Sequence, residues 1–161
     1  MNDFYFEKLK ERQLKELEDM IDNKISNTGI EVVYVHAPAD DPDLIIPSRN
    51  LMVINLDSNV SQPIVYRKGH EFIHFLTVDI DSIRAYSYSL YCKKYEERTA
   101  NQGAINLFAK IMYADLPNEA RDWTKMMDLF NLPSWYDQMV IDAVYDDPKQ
   151  LLLDYENEYY D

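Results

Sequence analysis

The stretch YRKGHEFIHFL, residues 66–76, decides how the rest of the chain is interpreted. It contains His70 and His74, two of the three histidines in the chain, with Glu71 directly after the first of them. Apolar residues between and after the histidines are typical of a helix with one buried side, and the turn-forming segment SNVSQP precedes the stretch. We therefore predict a helix here, opened by Ser61 as its N-cap.

The predicted helix places His70 and His74 on one face, because four residues advance a helix by little more than one turn. Their imidazole nitrogens can then bind one metal ion, and zinc takes such ligands at about 2.0–2.1 Å. Glu71 is offset around the helix and suits a general base that hydrogen-bonds a metal-bound water. This is the arrangement of His-Glu-x-x-His metallopeptidases. The alternative is an accidental pattern on a helical interaction module.

A catalytic zinc also needs a third protein ligand. The remaining histidine, His36, follows a predicted strand and is expected to be a surface or packing residue. The segment YEERTANQGAINLFAK offers two acidic candidates, Glu96 and Glu97, on a predicted helix. Helical spacing aligns Glu97 with Ala100 and Asn101, so small residues below it would let two helices approach closely. Asn101 would then be able to hydrogen-bond a metal ligand.

Beyond these segments, the sequence predicts an α+β fold that is mostly helical with a small β-sheet. Apolar residues at spacings of three and four indicate helices, whereas β-branched runs bounded by turn residues indicate strands. Predicted helices cover residues 3–25, 64–76, 93–116, 118–131 and 134–146. Predicted strands cover 30–37 and 50–57, and 77–91 is a loop or a short strand. With 161 residues and no long linker, the chain is expected to form one domain, 1–161.

The charge of the chain argues against direct binding to nucleic acid. The sequence has 16 basic and 29 acidic residues, and its formal net charge of −13 repels a phosphate backbone. Cys92 is the only cysteine, which excludes an intrachain disulfide and a cysteine-based zinc cluster. The N-terminus lacks the order of a secretion signal, and no 18 apolar residues run together. We therefore expect a cytoplasmic protein that does not enter a membrane.

The HEFIH segment and the later segment that contains Glu97 together resemble the ImmA/IrrE family of zinc metallopeptidases. That family has His-Glu-x-x-His followed on the next long helix by Glu-x-x-Ala-Asn, and this chain has HEFIH followed by Glu97, Ala100 and Asn101 at the same spacing. The order of elements is similar across most of the chain, although Ile73 stands where the family often has glycine. Within the single domain, the resemblance implies an N-terminal helix at 1–28, a zincin-like core at 30–116, and C-terminal helices with an acidic tail at 117–161.

The resemblance also implies a bound Zn²⁺ ion and assigns roles to four residues. By similarity, His70, His74 and Glu97 would be the zinc ligands, and Glu71 would be the catalytic acid and base. Family members are typically bacterial or phage-encoded, and what the resemblance implies is site-specific cleavage of a helix-turn-helix transcriptional repressor, which relieves repression.

Three further expectations concern how such a protein would act. The strand at 50–57 would be a sheet edge that pairs with an extended substrate, and the acidic surface would speed association with a basic repressor. A non-cleaving antirepressor that captures a regulator through the same cleft is the alternative from a different functional class. Tyr86, Tyr88, Tyr91 and Tyr95 are equal candidates for stabilising an oxyanion.

Overall fold

The computed structural model describes residues 2–77 and 90–145, and within them the fold is α+β, mostly helical with a small sheet, as predicted. In chain order the elements are α1 (Asn2–Asn27), β1 (Glu31–Val35), β2 (Leu44–Ile46), β3 (Leu51–Asn55), α2 (Ile64–Thr77), α3 (Leu90–Tyr113), α4 (Trp123–Phe130) and α5 (Asp137–Tyr145). Short 3-10 turns lie at Pro47–Arg49, Asn118–Ala120 and Ser134–Tyr136. The described elements share one hydrophobic core.

Helix α1 ends where its sequence pattern predicts, but only its C-terminal half is packed. Gly29 has a φ of 82°, which glycine adopts without steric cost, and its amide donates to the Ser26 carbonyl. The apolar residues buried against the core are Leu17, Ile21 and Ile25, whereas Phe4, Phe6 and Leu9 on the preceding turns are exposed. The apolar face of α1 therefore extends beyond the part of the helix that packs against the core.

The sheet has three strands in the order β1-β3-β2. Strand β3 pairs in parallel with β1, from Glu31 opposite Leu51 onward, and antiparallel with β2, where Ile45 lies opposite Met52. The prediction that the strand at 50–57 forms a sheet edge was therefore wrong, because β3 is the central strand. Strand β2 was not predicted, since its three residues are too few to show an alternating pattern between the Asp- and Pro-rich segments around them.

Helix α2 forms as predicted but begins later than its predicted cap. The first helical residue is Ile64, and the Pro63 carbonyl accepts the amide hydrogen bond of Arg67 at 3.1 Å. Ser61 is therefore not the N-cap, and its carbonyl instead accepts a hydrogen bond from the Asn131 side chain at 3.0 Å. This contact joins the start of α2 to the end of α4.

Helices α2 and α3 approach closely because glycine stands at two of their contact points. A Cβ atom on Gly69 would lie 2.5 Å from Cε2 of Phe108, and one on Gly103 would lie 2.6 Å from Cγ2 of Ile73. Ala100, between the site and Gly103, is fully buried. The small-residue segment of α3 thus brings the two helices together, as the sequence predicts.

The C-terminal helices are shorter than predicted, because a 3-10 turn precedes each. Helix α4 is capped by Asp122, whose carboxylate accepts the Thr124 amide at 3.0 Å, and it ends at Asn131 in the left-handed conformation with φ 51°. Helix α5 packs against α3 through Val140 and Val144, which are fully buried. This packing holds the turn between α4 and α5 beside the site.

Several predictions concern residues outside the part of the chain that the structure describes. They are the loop or strand over most of 77–91, the acidic tail beyond residue 145, and the side chains of Tyr86, Tyr88, Tyr91, Cys92 and Tyr95. Among the described helices, none combines the length and the apolar composition that crossing a membrane requires.

Candidate metal centre

The structure brings His70, His74 and Glu97 together at the crossing of α2 and α3. The Nε2 atoms of the two histidines lie 3.1 Å apart. One carboxylate oxygen of Glu97 lies 3.2 Å from Nε2 of His70, and the other lies 3.1 Å from Nε2 of His74. The two imidazoles therefore turn the same ring nitrogen towards a single carboxylate from the neighbouring helix.

These separations fit a tetrahedral zinc site. Ligand atoms at 2.0–2.1 Å from a tetrahedral ion are about 3.3–3.4 Å from one another, and both the distance between the two Nε2 atoms and the distance from each Nε2 to its nearer Glu97 oxygen come close to this spacing. Nitrogen from histidine and oxygen from glutamate are donors that zinc accepts. The His70 and His74 side chains are 14% and 13% exposed, whereas Glu97 is 49% exposed, so the site is open on the side of the glutamate.

Glu71 has a different position from Glu97, although it also lies near the two histidines. Possible ligand atoms of His70, Glu71 and His74 all lie within 4.8 Å of one another. The oxygens of Glu97 are at ligand-to-ligand distance from both ring nitrogens, so Glu97 fits a ligand position more closely than Glu71 does. Burial raises the pKa of Glu71 to about 7, against the opposing charges of His70 and His74. Glu71 is therefore suited to both accepting and releasing a proton near neutral pH.

The electrostatics of the cluster favour an ionised Glu97. Hydrogen bonds from His70 and His74 hold the pKa of Glu97 well below its usual range, although burial acts in the opposite direction. For His74, burial lowers the pKa, but the hydrogen bond with Glu97 and the charge of Glu71 outweigh it, so the net pKa is raised. A negative carboxylate that faces two imidazoles attracts a cation, whether a proton or a metal ion.

A cleft of about 290 Å³ opens beside the cluster. His70, Glu71 and Glu97 line it, together with loop residues Pro42, Asp43, Val60 and Gln62 and with Tyr66, Arg67, Asn101 and Tyr136. Arg67 on α2 forms a buried ion pair with Asp43 at 3.2 Å and donates to the carbonyl of Asn55 at the end of β3. This ion pair attaches the loop that precedes β2 to helix α2, which carries His70 and His74.

The buried side chain of Asn55 organises that loop. Its Nδ2 donates to the carbonyls of Pro38 and Asp41, at 2.9 and 3.1 Å, and its Oδ1 accepts the amides of Ala37 and Asp57, at 3.2 and 3.0 Å. Three of these contacts are with the loop between β1 and β2 and the fourth is with the turn after β3, so one side chain joins the two segments. The sequence gives no warning of this role.

A buried lysine on α2 joins this helix to α1. Lys68 has no exposed side-chain surface, and its Nζ donates to Glu18 at 2.8 Å and to Asp22 at 2.9 Å. Burial lowers the pKa of Lys68, but hydrogen bonds with Asp22 and Glu18 outweigh that effect and raise the net pKa above its usual value. The lysine therefore stays charged and holds the helix that carries His70 against α1.

Tyr136 is one of the cleft residues that the sequence alone does not single out. It ends the 3-10 turn before α5, lines the cleft with Glu71 and Glu97, and is half-buried. Burial raises its pKa, the charge of Glu97 acts in the same direction, and a side-chain hydrogen bond with Asn101 opposes them. The neighbouring Trp135 is 77% exposed, with its ring centre 6.2 Å from that of Tyr136.

Three other residues considered from the sequence lie on the surface, outside the cleft or on its wall. His36 is an exposed surface residue as expected, with Nδ1 at 3.0 and 3.1 Å from the carboxylate oxygens of Asp57. Glu96 is half-buried and lies outside the cleft lining, whereas Glu97 is within it. Asn101 lines the cleft one turn beyond Glu97, where it interacts with Tyr136.

Comparisons with protein-family models, with curated proteins and with solved structures found no match to this chain. The resemblance to the ImmA/IrrE family therefore stays a prediction carried by the HEFIH segment and by Glu97, Ala100 and Asn101.

Proposed function

We propose that this protein is a zinc-dependent endopeptidase in which His70, His74 and Glu97 hold the ion and Glu71 transfers protons. The observation that carries the proposal is the meeting of two imidazole nitrogens and one carboxylate at 3.1–3.2 Å, beside a cleft that also contains Glu71. An accidental His-Glu-x-x-His sequence would not by itself bring a carboxylate from another helix to both ring nitrogens.

The chain's own residues can perform the proton transfers of peptide hydrolysis. Bound zinc would supply Lewis acidity, which makes water a stronger acid and polarises a peptide carbonyl. Glu71 accepts a proton from the attacking water while the new carbon–oxygen bond forms, and then delivers that proton to the leaving nitrogen as the carbon–nitrogen bond breaks. Its place beside His70 and in the cleft lining lets one carboxyl group take both roles in turn.

For the substrate, we propose a helix-turn-helix repressor in the cytoplasm. This part of the proposal is supported by the resemblance described above and by the net charge of −13, which favours a basic partner. Strand β2 lies at an edge of the sheet, and Asp43, directly before it, lines the cleft. This edge, rather than the central strand β3, is positioned to pair with an extended segment of the partner.

The first test is the metal content of the purified protein. We expect about one zinc per chain in the wild type by mass spectrometry, retention of zinc in Glu96→Ala, and loss of zinc in Glu97→Ala. Glu96 is the matched control, because it is the adjacent residue of the same type on the same helix. A wild-type protein that binds no zinc after incubation with excess metal would rule out the peptidase proposal.

The second test separates cleavage from capture. The variant Glu71→Gln keeps the shape of the side chain but not its ability to accept a proton. We expect it to bind zinc and a repressor encoded beside this gene as the wild type does, and to leave the repressor uncut. If wild-type protein also relieves repression without cutting its partner, and Glu71→Gln acts equally well, the protein is a non-cleaving antirepressor.

A further inference from the structure

Two tyrosines of the described chain line the cleft, and only one of them can reach a bound peptide. The ring of Tyr66 packs between Phe108 and Phe130, with ring centres at 6.0 and 5.5 Å. Its hydroxyl is buried and has no hydrogen-bond partner among the described residues. Tyr66 therefore belongs to the core beneath the cleft, and a substrate in the cleft does not contact its hydroxyl.

Tyr136 has the opposite character. Its side chain is half-buried, and it lines the cleft together with Glu71 and Glu97. Asn101, one turn beyond Glu97 on α3, lines the same cleft, and a side-chain hydrogen bond with Asn101 acts to lower the pKa of Tyr136. The turn that carries Tyr136 is held by the hydrogen bond from its own amide to the Pro133 carbonyl at 2.9 Å, and by the packing of α5 on α3. Tyr136 is therefore a half-buried hydrogen-bond donor on the wall of the cleft that Glu71 and Glu97 also line.

We propose that Tyr136 donates a hydrogen bond to the carbonyl oxygen of the scissile peptide as that oxygen becomes negative, and that Asn101 is a positioning residue that orients the tyrosine hydroxyl. The inference deepens the proposed function and rests on it. When water attacks the carbonyl carbon, the double-bond electrons move to the oxygen, and they return when the carbon–nitrogen bond breaks. A donor placed in advance stabilises the charged stage more than the neutral peptide.

The test compares Tyr136→Phe with Tyr145→Phe in the zinc-loaded protein. Tyr145 is the matched control, because its hydroxyl donates to the Arg121 carbonyl and the residue lies outside the cleft lining. Calorimetry with an N-phosphoryl dipeptide, whose tetrahedral anion mimics the charged stage, gives a readout that does not depend on turnover. We expect Tyr136→Phe to keep its zinc and to bind this probe about 10- to 100-fold more weakly, as for the loss of a hydrogen bond to a charged group.

Turnover gives the second readout. For a repressor that the wild-type protein cleaves, we expect Tyr136→Phe to lower kcat by about 100-fold or more with KM nearly unchanged. Asn101→Ala should also lower kcat, but by a smaller factor. If Tyr136→Phe keeps its zinc and has the same probe affinity and the same kcat as the wild type, the role of Tyr136 is overturned and the proposed function still stands. Absence of zinc from the wild type, or no probe binding beyond that of Glu97→Ala, would overturn this inference and the proposed function together.

Discussion

Adding one methyl group at Gly103 should weaken zinc binding more than it weakens the fold. The Cβ of Gly103→Ala would lie 2.6 Å from Cγ2 of Ile73 and 3.1 Å from its Cγ1, whereas ordinary contacts begin at 3.4 Å. Helices α2 and α3 must therefore separate by about 0.8–1.4 Å at this point unless Ile73 moves. The same movement would pull Glu97 away from His70 and His74.

The magnitudes follow from this displacement. Overpacking of this kind costs about 1–3 kcal/mol, but alanine in place of glycine inside a helix returns about 1 kcal/mol, so the free energy of unfolding should fall by about 0–2 kcal/mol. The ligand distances of 3.1–3.2 Å would open towards about 4 Å, too wide for zinc to keep all three contacts. Zinc affinity should therefore fall by about 10- to 100-fold, the size seen when a site loses its orienting contacts.

The assay is zinc affinity by chelator competition, beside urea denaturation of the metal-free protein. Ile73→Ala removes the clashing Cγ atoms and should restore zinc affinity to Gly103→Ala, whereas Ile73→Val keeps Cγ2 and should not. Two results would refute the reasoning that the close approach of the helices sets the ligand geometry. One is a zinc affinity of Gly103→Ala within about twofold of the wild type, and the other is equal rescue of Gly103→Ala by both changes at Ile73.

Two further predictions concern the supports of the site. Lys68→Met should lower the free energy of unfolding by about 1–3 kcal/mol, since Glu18 and Asp22 are partly exposed and regain water when the lysine is lost. Because the folded-state pKa of Lys68 is raised, the contribution of Lys68 to the free energy of unfolding is complete below the unfolded-state pKa of about 10.4 and declines as pH rises above it. Urea denaturation of wild type and Lys68→Met at several pH values checks this. A difference in free energy of unfolding that does not change with pH would contradict it. Asn55→Asp keeps the shape but cannot donate to two loop carbonyls, so it should cost about 2–4 kcal/mol and speed proteolysis of residues 36–43; unchanged denaturation midpoint and cleavage rate would show that the loop is held by other contacts.

The helical part of the candidate site was predictable because its geometry is local. His70 and His74 are four residues apart on one helix, so spacing alone places them on one face. The small residues after Glu97 indicate a close helix crossing, but the choice of Glu97 over Glu96 came from the resemblance to the ImmA/IrrE family. Whether zinc occupies the cluster stays a prediction. The helices themselves were predicted from apolar spacing, with errors mainly at their ends, where hydrogen bonds such as that from Arg67 to the Pro63 carbonyl set the first residue.

The parts that were not predicted depend on contacts between distant residues. Strand β2 exists because β3 pairs with it, Lys68 is buried because two carboxylates on α1 face it, and Tyr136 reaches the cleft because α5 packs on α3. None of these contacts leaves a periodic signal near the residue concerned. The apolar residues at the start of α1 show the converse, because Phe4 continues the helical pattern and is nevertheless 65% exposed.

The exposed indole of Trp135 gives this cleft an optical signal of its own. The sequence has two tryptophans, and the other, Trp123, is partly buried against the core at the start of α4. Trp135 is next to Tyr136 in the chain but is not among the residues that line the cleft. A partner that extends from the cleft past Tyr136 would remove water from Trp135 and shift its fluorescence to shorter wavelengths, while the emission of Trp123 would stay nearly constant. Occupancy of the cleft can therefore be followed in unlabelled protein, and Trp135→Phe supplies the blank.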